Sequence, residues 1–163
     1  RTPLGNIITS AVQREPELFR AFAMKGGEIF LRTATGGFTP VDIQATSLYN
    51  GVYTAIVNNA VSPGNPNFLE DNGGAGGSAV YGPDGALIDE ANSEHETIIT
   101  VNLPMEAFRR RHVIPYVHMD LYRPIFDAYR NRFPPNLFED YQPTDTGDAA
   151  RYLADKGVWT MDR

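Results

Sequence analysis

The sequence has 163 residues, of which 42% are hydrophobic, so it can form one domain with its own core. Its net charge of −6 argues against nonspecific nucleic-acid binding, which needs a basic surface. The absence of cysteine excludes disulfides, thiolate nucleophiles and cysteine metal sites. Because no basic-then-apolar leader and no apolar run of roughly 20 residues stands out, we expect a cytoplasmic protein without a membrane helix.

The first third of the chain alternates short apolar runs with one helical pattern. The pair Ile7-Ile8 predicts a short buried strand that ends in a turn. A helix is predicted to begin near Pro16, to continue to about Met24 and to end at a Gly-Gly pair. Residues 28–31 form a short apolar run that is typical of a buried strand.

The middle of the chain repeats this alternation and then changes to a hairpin. Residues 41–50 predict a second helix, and residues 52–57 a strongly β-prone strand. A loop rich in Gly, Pro and Asn occupies residues 61–77. Two short strands, 78–81 and 86–88, flank a Gly-Pro-Asp-Gly turn.

The last third begins with a segment in which apolar and polar residues alternate, and it ends in a segment of different amino-acid composition. Residues 97–103 alternate like a further strand, and residues 104–111 predict a short helix. From residue 112 onwards the chain is rich in Arg, Tyr, Phe and Pro. Helices are predicted at 121–132 and 148–156, with an irregular stretch between them.

Strands that alternate with helices and then form a hairpin indicate a layered α/β (α+β) sandwich. We expect it to occupy residues 1–111. A tail of the composition seen in residues 112–163 packs poorly by itself, so we expect it to cover a neighbouring subunit in a homo-oligomer. Arginines mixed with aromatic residues are also the composition of a protein interface, which we favour over nucleic-acid binding.

Three blocks in this order resemble the nitrilase superfamily of carbon–nitrogen hydrolases. The first, PELFRAFAMKGGEIFLRTAT, is similar to the family's Pro-Glu…Arg…Gly-Ala-Glu segment, with Gly27 in place of alanine. The second, SLYNGVYTAIVN, is similar to a helix end followed by a strand that ends in Asn. The third, residues 77–103, resembles a Gly-Ser…Pro-Asp-Gly hairpin and final strand. The three blocks lie between residues 16 and 103, a span of somewhat more than half of the sequence.

The resemblance implies the carboxyl-terminal half of an α-β-β-α sandwich that pairs through its α faces. The implied chemistry is attack by a cysteine on an amide or nitrile carbon, aided by a glutamate and a lysine, with no cofactor. In the family both partners lie well upstream of the nucleophile, and Lys25, at a helix end, does not replace the lysine. We therefore expect this chain to be inactive alone and to associate with an amino-terminal half. The alternative is a non-catalytic pseudoenzyme or assembly subunit of the same fold.

Ser10 occupies the position that the resemblance assigns to the nucleophile. The family's cysteine lies six residues before a Pro-Glu pair, and Ser10 lies six residues before Pro16. A hydroxyl needs an adjacent base, and no histidine is near in sequence. Ser10 is therefore either a replaced nucleophile or, as the chemistry favours, a small turn residue.

Two further groups of residues are candidates, the first from the resemblance and the second from helical spacing. Thr33, Ala34 and Thr35 follow the strand whose end borders the family's substrate pocket, although an ordinary loop exit explains them equally well. Glu17 and Arg20 are one helical turn apart, so we expect a structural ion pair that orients the helix.

The histidines offer no convincing metal site. The spacing of His112, His118 and Asp120 matches no defined zinc pattern, and cysteine is absent. We therefore expect no metal and assign these residues to a surface or interface.

Overall fold

The computed structural model describes residues 4–60, 76–129 and 141–155. The chain divides into two compact units, residues 1–116 and 117–163. The described part of the first unit contains strands β1 Ile7–Ser10, β2 Ile29–Thr33, β3 Tyr53–Val57, β4 Ala79–Tyr81 and β5 Leu87–Glu90. It also contains helices α1 Pro16–Met24, α2 Pro40–Asn50 and α3 Met105–Arg111.

The five strands form one mixed sheet in the order of the sequence. β1, β2 and β3 are parallel. Ser10 of β1 is in register with Arg32 of β2, and Thr33 of β2 is in register with Val57 of β3. β4 and β5 continue the sheet as an antiparallel hairpin. The carboxyl ends of the three parallel strands therefore meet at one edge, which we call the carboxyl edge, and the opposite edge is the amino edge.

Helices α1 and α2 cover one face of the sheet. Phe19 and Ala23 of α1 pack on Phe30, and Ile43 of α2 packs on Ile56. All of these side chains are at most 2% exposed. The helices form here because their apolar residues recur at helical spacing, so each helix is stable only when that stripe is buried.

Gly27 permits the tight approach of α1 to the start of β2. A Cβ atom at this position would lie 2.6 Å from Cε1 of Phe30 and 3.0 Å from the carbonyl oxygen of Phe22. Both distances are shorter than ordinary carbon contacts, so alanine would displace the aromatic core. Packing thus explains why this chain has glycine where the family commonly has alanine.

The other face of the sheet is covered only near the amino edge in the described part of the chain. There Phe108 of α3 packs on Ile29 and Tyr53. Strand residues alternate between faces, so Thr9, Thr33 and Val57 lie on this same face nearer the carboxyl edge. All three are exposed, Val57 by 57%.

The structure confirms most of the predicted elements and corrects one. The strands, the hairpin and the helices of the first unit appear within about three residues of their predicted ends. The predicted strand at 97–103 is wrong, because the described segment 97–104 has no regular structure. Alternation alone does not make a strand, since a strand needs a hydrogen-bonding neighbour; here Ile98 is 88% exposed and Leu103 packs beside Phe108.

The described part of the second unit contains helices α4 Met119–Ala128 and α5 Thr146–Asp155. They match the two predicted tail helices, although residues 130–132 and 156 of those predictions lie outside the described residues. The predicted irregular stretch at 133–140 and residues 61–75 of the predicted loop also lie outside them. The carboxylate of Asp148 accepts hydrogen bonds from Tyr141 and Thr144 near the start of α5. Among the described helices, none is long and apolar enough to cross a membrane.

An ion pair closes the amino edge. Glu28, whose side chain is 10% exposed, accepts hydrogen bonds from Nε and Nη2 of Arg109 at 2.6 and 2.9 Å. It also accepts one from the backbone N–H of Asn6 at 2.7 Å. The hydrogen bonds from Arg109 lower the pKa of Glu28, although its burial acts in the opposite direction.

Glu28→Gln is expected to lower the stability near neutral pH and to flatten its dependence on acid. A lowered folded-state pKa means that the unfolded chain takes up the proton first as the pH falls. The stabilisation is therefore complete above the ordinary carboxyl pKa of 4.5 and is lost as the pH falls through the lower folded value. Urea unfolding between about pH 7 and about pH 3 measures this.

The matched control is Glu106→Gln, which removes an exposed ion pair with Arg110 on the same helix. Its stability curve should run parallel to that of the unmodified chain, because exposed pairs contribute little. Parallel curves for Glu28→Gln and the unmodified chain would contradict the assignment.

Candidate functional site

The carboxyl edge brings together the residues that the sequence singled out. β1 ends at Ser10, β2 ends at Thr33, and β3 ends at Val57 on the far side of β2. Ala34 and Thr35 follow directly after β2. Ligands of open α/β sheets bind outside the carboxyl ends of the strands, so this edge is the candidate functional site.

Ser10 lies at the end of β1 and is half-buried. Its Oγ accepts a hydrogen bond from the backbone N–H of Val12 at 3.1 Å, which closes a small turn. In the described part of the chain, no histidine, lysine or carboxylate is hydrogen-bonded to this hydroxyl. The geometry fits a turn residue, and nothing described here activates the hydroxyl as a nucleophile.

A buried arginine holds the turn after Ser10 by hydrogen bonds. Arg32 is 1% exposed, and its Nη2 donates to the carbonyl oxygen of Val12 at 2.6 Å and to Oδ2 of Asp42 at 2.7 Å. Oδ2 of Asp42 also accepts from the backbone N–H of Arg14 at 3.2 Å. Sequence reasoning missed both Arg32 and Asp42. A charged residue inside the apolar strand IFLRT was the available signal, since buried charges require partners.

The chain leaves the sheet through Thr33, Ala34 and Thr35, and both threonines are exposed. The backbone N–H of Ala34 donates to the carbonyl oxygen of Val57 at 2.9 Å, which extends the parallel ladder by one residue. Ala34 itself packs beside the cluster of Ile43 and Ile56. Both threonine side chains are therefore available at the edge.

Two asparagines after β3 fix the next part of this loop. The backbone N–H of Gly36 donates to Oδ1 of Asn58 at 3.1 Å and to Oδ1 of Asn59 at 2.7 Å. Nδ2 of Asn58 donates to the carbonyl oxygen of Gly76 at 2.8 Å, and its backbone N–H to Oγ of Ser78 at 2.9 Å. Asn58 thus connects the loop after β2 with the chain that enters β4.

Glu17, Arg20 and Lys25 contribute nothing to the site in the described structure. The expected ion pair between Glu17 and Arg20 does not form among the described residues, and Glu17 is exposed. Lys25 follows α1 at the amino edge, whereas Ser10 lies at the carboxyl edge, at the other end of the strands. It does not stand in for a catalytic lysine, in agreement with the sequence-based expectation.

The structure gives His112 a packing role. Its ring stacks on Phe108 with the centroids 4.6 Å apart, and its Nδ1 lies 3.0 Å from the carbonyl oxygen of Gly51. Within the described ranges, no three His, Asp or Glu side chains form a group that could hold a metal ion.

A family model described as carbon-nitrogen hydrolase matches residues 11–112. This is more than half of the 163-residue sequence. The chain belongs to the carbon–nitrogen hydrolase family. No curated protein matches it.

Solved structures similar to this carbon–nitrogen hydrolase chain include several of an amidase from Nesterenkonia sp. AN1. A cysteine-to-serine variant is 25% identical with a TM-score of 0.52, covering 73% of this chain and 43% of its own. A butyramide complex is 24% identical with a TM-score of 0.51, covering 72% of this chain and 42% of its own. A third, with acrylamide at its active-site cysteine, is 24% identical with a TM-score of 0.52, covering 73% and 44%.

These neighbours confirm the nitrilase-type α/β fold. They also show that the chain spans less than half the length of the solved structures it resembles.

Asn58→Ala is expected to lower the free energy of unfolding by about 1 to 2 kcal/mol, because partly buried backbone groups of Gly36 and Gly76 lose a partner. Asn92→Ala is the control, since its amide makes one exposed hydrogen bond of 3.4 Å, and should change stability by less than about 0.5 kcal/mol. Urea unfolding of both variants measures the difference. Equal effects would show that Asn58 does not organise the edge.

Proposed function

We propose that this chain supplies the nucleophile-side half of a nitrilase-type hydrolase for small amides or nitriles, and that it is inactive by itself. The observation that carries the proposal is the carboxyl edge, where the turn at Ser10 and the segment of Thr33, Ala34 and Thr35 lie on adjacent strands. In this proposal Ser10 occupies the nucleophile position, and the other three residues border the substrate.

The exposed sheet face supports the need for a second half. Thr9, Thr33 and Val57 lie uncovered beside the proposed site in the described structure. Val57, an apolar residue on this face, is 57% exposed, and a sheet face that carries apolar residues is stabilised when another layer covers it. We propose that a second sheet of the family fold covers this face, supplied by the same protein or by a partner, and contributes the glutamate and lysine.

The neighbouring structures support an amide as the substrate. They are structures of an amidase, one in complex with butyramide and one with acrylamide added at the active-site cysteine. In this proposal the reaction is attack on the carbonyl carbon of a small amide, followed by release of ammonia and hydrolysis of the acyl intermediate. The cytoplasmic setting stays a prediction.

The second candidate function is a non-catalytic assembly subunit of the same family. The absence of cysteine and the unactivated hydroxyl of Ser10 favour it, because a serine without a base is a poor nucleophile. In this alternative the fold and its pairing surfaces are kept and the chemistry is lost.

We expect the isolated chain to release no ammonia from butyramide above the blank. In an assembly that includes the rest of the family fold, hydrolysis should appear if the first proposal holds. Ser10→Ala should then abolish it, whereas Ser93→Ala, a control in the exposed loop after β5, should not. Turnover by the isolated chain that Ser10→Ala removes would contradict the claim of inactivity. An intact assembly without turnover would favour the non-catalytic subunit.

Helix α4 supports the proposed homo-oligomer. Its large apolar side chains are exposed, with Leu121 at 62%, Ile125 at 59% and Phe126 at 57%, and none of its residues is buried. Such a surface on one helix is typical of an interface. We propose that the tail packs on a second copy of the chain.

Light scattering should therefore give a mass above that of the 18.0 kDa monomer. Replacing both Leu121 and Ile125 by Glu should shift the protein towards the monomer, because the two residues lie one helical turn apart on one face. Arg123→Glu, on the other side of the same helix, is the control. A stable monomer of the unmodified chain at micromolar concentration would overturn the oligomer proposal.

A further inference from the structure

Arg32 is unusual in this sheet because its charge is fully buried. The side chain projects from β2 towards the helical face and is 1% exposed, while its partner Asp42 is 15% exposed. The guanidinium carbon lies 4.3 Å above the ring centroid of Phe19. A buried charge is costly unless it is paired and hydrogen-bonded, so an arginine at this position needs a reason beyond filling space.

The hydrogen bonds of Arg32 link the turn after β1 to helix α2. Nη2 donates to the carbonyl oxygen of Val12 and to Asp42, and Nη1 donates to Oγ1 of Thr46 at 3.2 Å. Asp42 in turn accepts from the backbone N–H of Arg14. Arg32 and Asp42 therefore hold the turn at two backbone groups, and α2 anchors both of them.

The turn that they hold is strained. Arg14 has φ = 59°, in the left-handed region, which is unfavourable for a residue other than glycine. The side chain of Arg14 adds a hydrogen bond to Oγ1 of Thr39 at 3.1 Å. Such a conformation persists only where the surroundings impose it, and here the surroundings are α2 and Arg32.

The position of Ser10 depends on this arrangement. Ser10 and Arg32 are register partners in adjacent strands, and Oγ of Ser10 accepts from the N–H of Val12, whose carbonyl Arg32 binds. Residue 10 is thus held by its strand on one side and by the Arg32-bound turn on the other. A reacting side chain has to be held within about 0.5 Å of its productive geometry.

We propose that Arg32, together with Asp42, is a positioning residue that fixes the turn at residues 11–14 and thereby the direction of the side chain at position 10. This inference rests on the proposed function for its catalytic meaning, although its structural part can be tested without any activity.

The experiment compares Arg32→Met and Arg32→Lys with Arg109→Met, which breaks the ion pair at the amino edge. Backbone amide order parameters from ¹⁵N relaxation report on the turn directly. In Arg32→Met we expect the order parameters of the amides of residues 11–14 to fall from about 0.85 to below about 0.6. The order parameters of β2 and β3 should stay at the value of a rigid backbone. Arg32→Lys should give an intermediate result, because an ammonium group cannot reproduce the planar fork of arginine. Arg109→Met should leave the turn rigid.

Rigid amides at 11–14 in Arg32→Met, or a uniform loss of order over the whole sheet, would overturn the inference. If Arg32→Met does not fold, Arg32→Lys decides, since it keeps the charge; a turn as rigid as in the unmodified chain would then count against the proposal.

A second measurement separates this inference from the proposed function. In an assembly that hydrolyses butyramide, Arg32→Lys should lower kcat about tenfold or more and leave KM within about twofold, because orientation of the reacting group affects the chemical step. Arg109→Met should change neither. An unchanged kcat in Arg32→Lys, together with a loosened turn, would contradict the positioning role. If the unmodified assembly does not hydrolyse butyramide, that result counts against the proposed function alone. The relaxation measurement then decides whether Arg32 fixes the turn.

Discussion

The parallel pairing of β1, β2 and β3 is the constraint on which the rest of this structure depends. Because the three strands run in one direction, their carboxyl ends lie side by side, and three separate loops meet at one edge. Parallel crossovers are right-handed and the strand order runs in one direction, so α1 and α2 both pack on the same face of the sheet. Among the residues that the structure describes, α3 covers the other face near the amino edge, and nothing covers it near the carboxyl edge.

The two edges of the sheet are stabilised by different means. At the amino edge, Glu28 and Arg109 form a two-pronged ion pair that attaches α3 to the start of β2. At the carboxyl edge, Arg32 and Asp42 hold the turn after β1. The first pair is partly open to solvent and secures the packing of α3, whereas the second is buried and holds a strained turn. Substitutions at the two pairs therefore separate effects on stability from effects on the candidate site.

Membership in the carbon–nitrogen hydrolase family and the features of this chain point in different directions for catalysis. The family match covers residues 11–112, from the turn after β1 to the end of α3, so it begins directly after Ser10. The hydroxyl of Ser10 accepts a hydrogen bond from the backbone of its own turn. These features are compatible with either half of an enzyme or an assembly subunit, and the two differ in whether hydrolysis appears when the rest of the family fold is present.

The sequence by itself determined the order of the elements, because Pro16, the Gly-Gly pair and the hairpin turn act locally and mark where helices and strands end. It also placed Ser10 and Thr33 at strand ends, and the match to family blocks identified the fold. Only the tertiary structure decided which strand ends are neighbours and which charges are buried. Arg32 and Asp42 are ten residues apart and become partners only when α2 packs on β2. The false strand at 97–103 has the same origin, since alternation predicts a face to bury but not a partner strand.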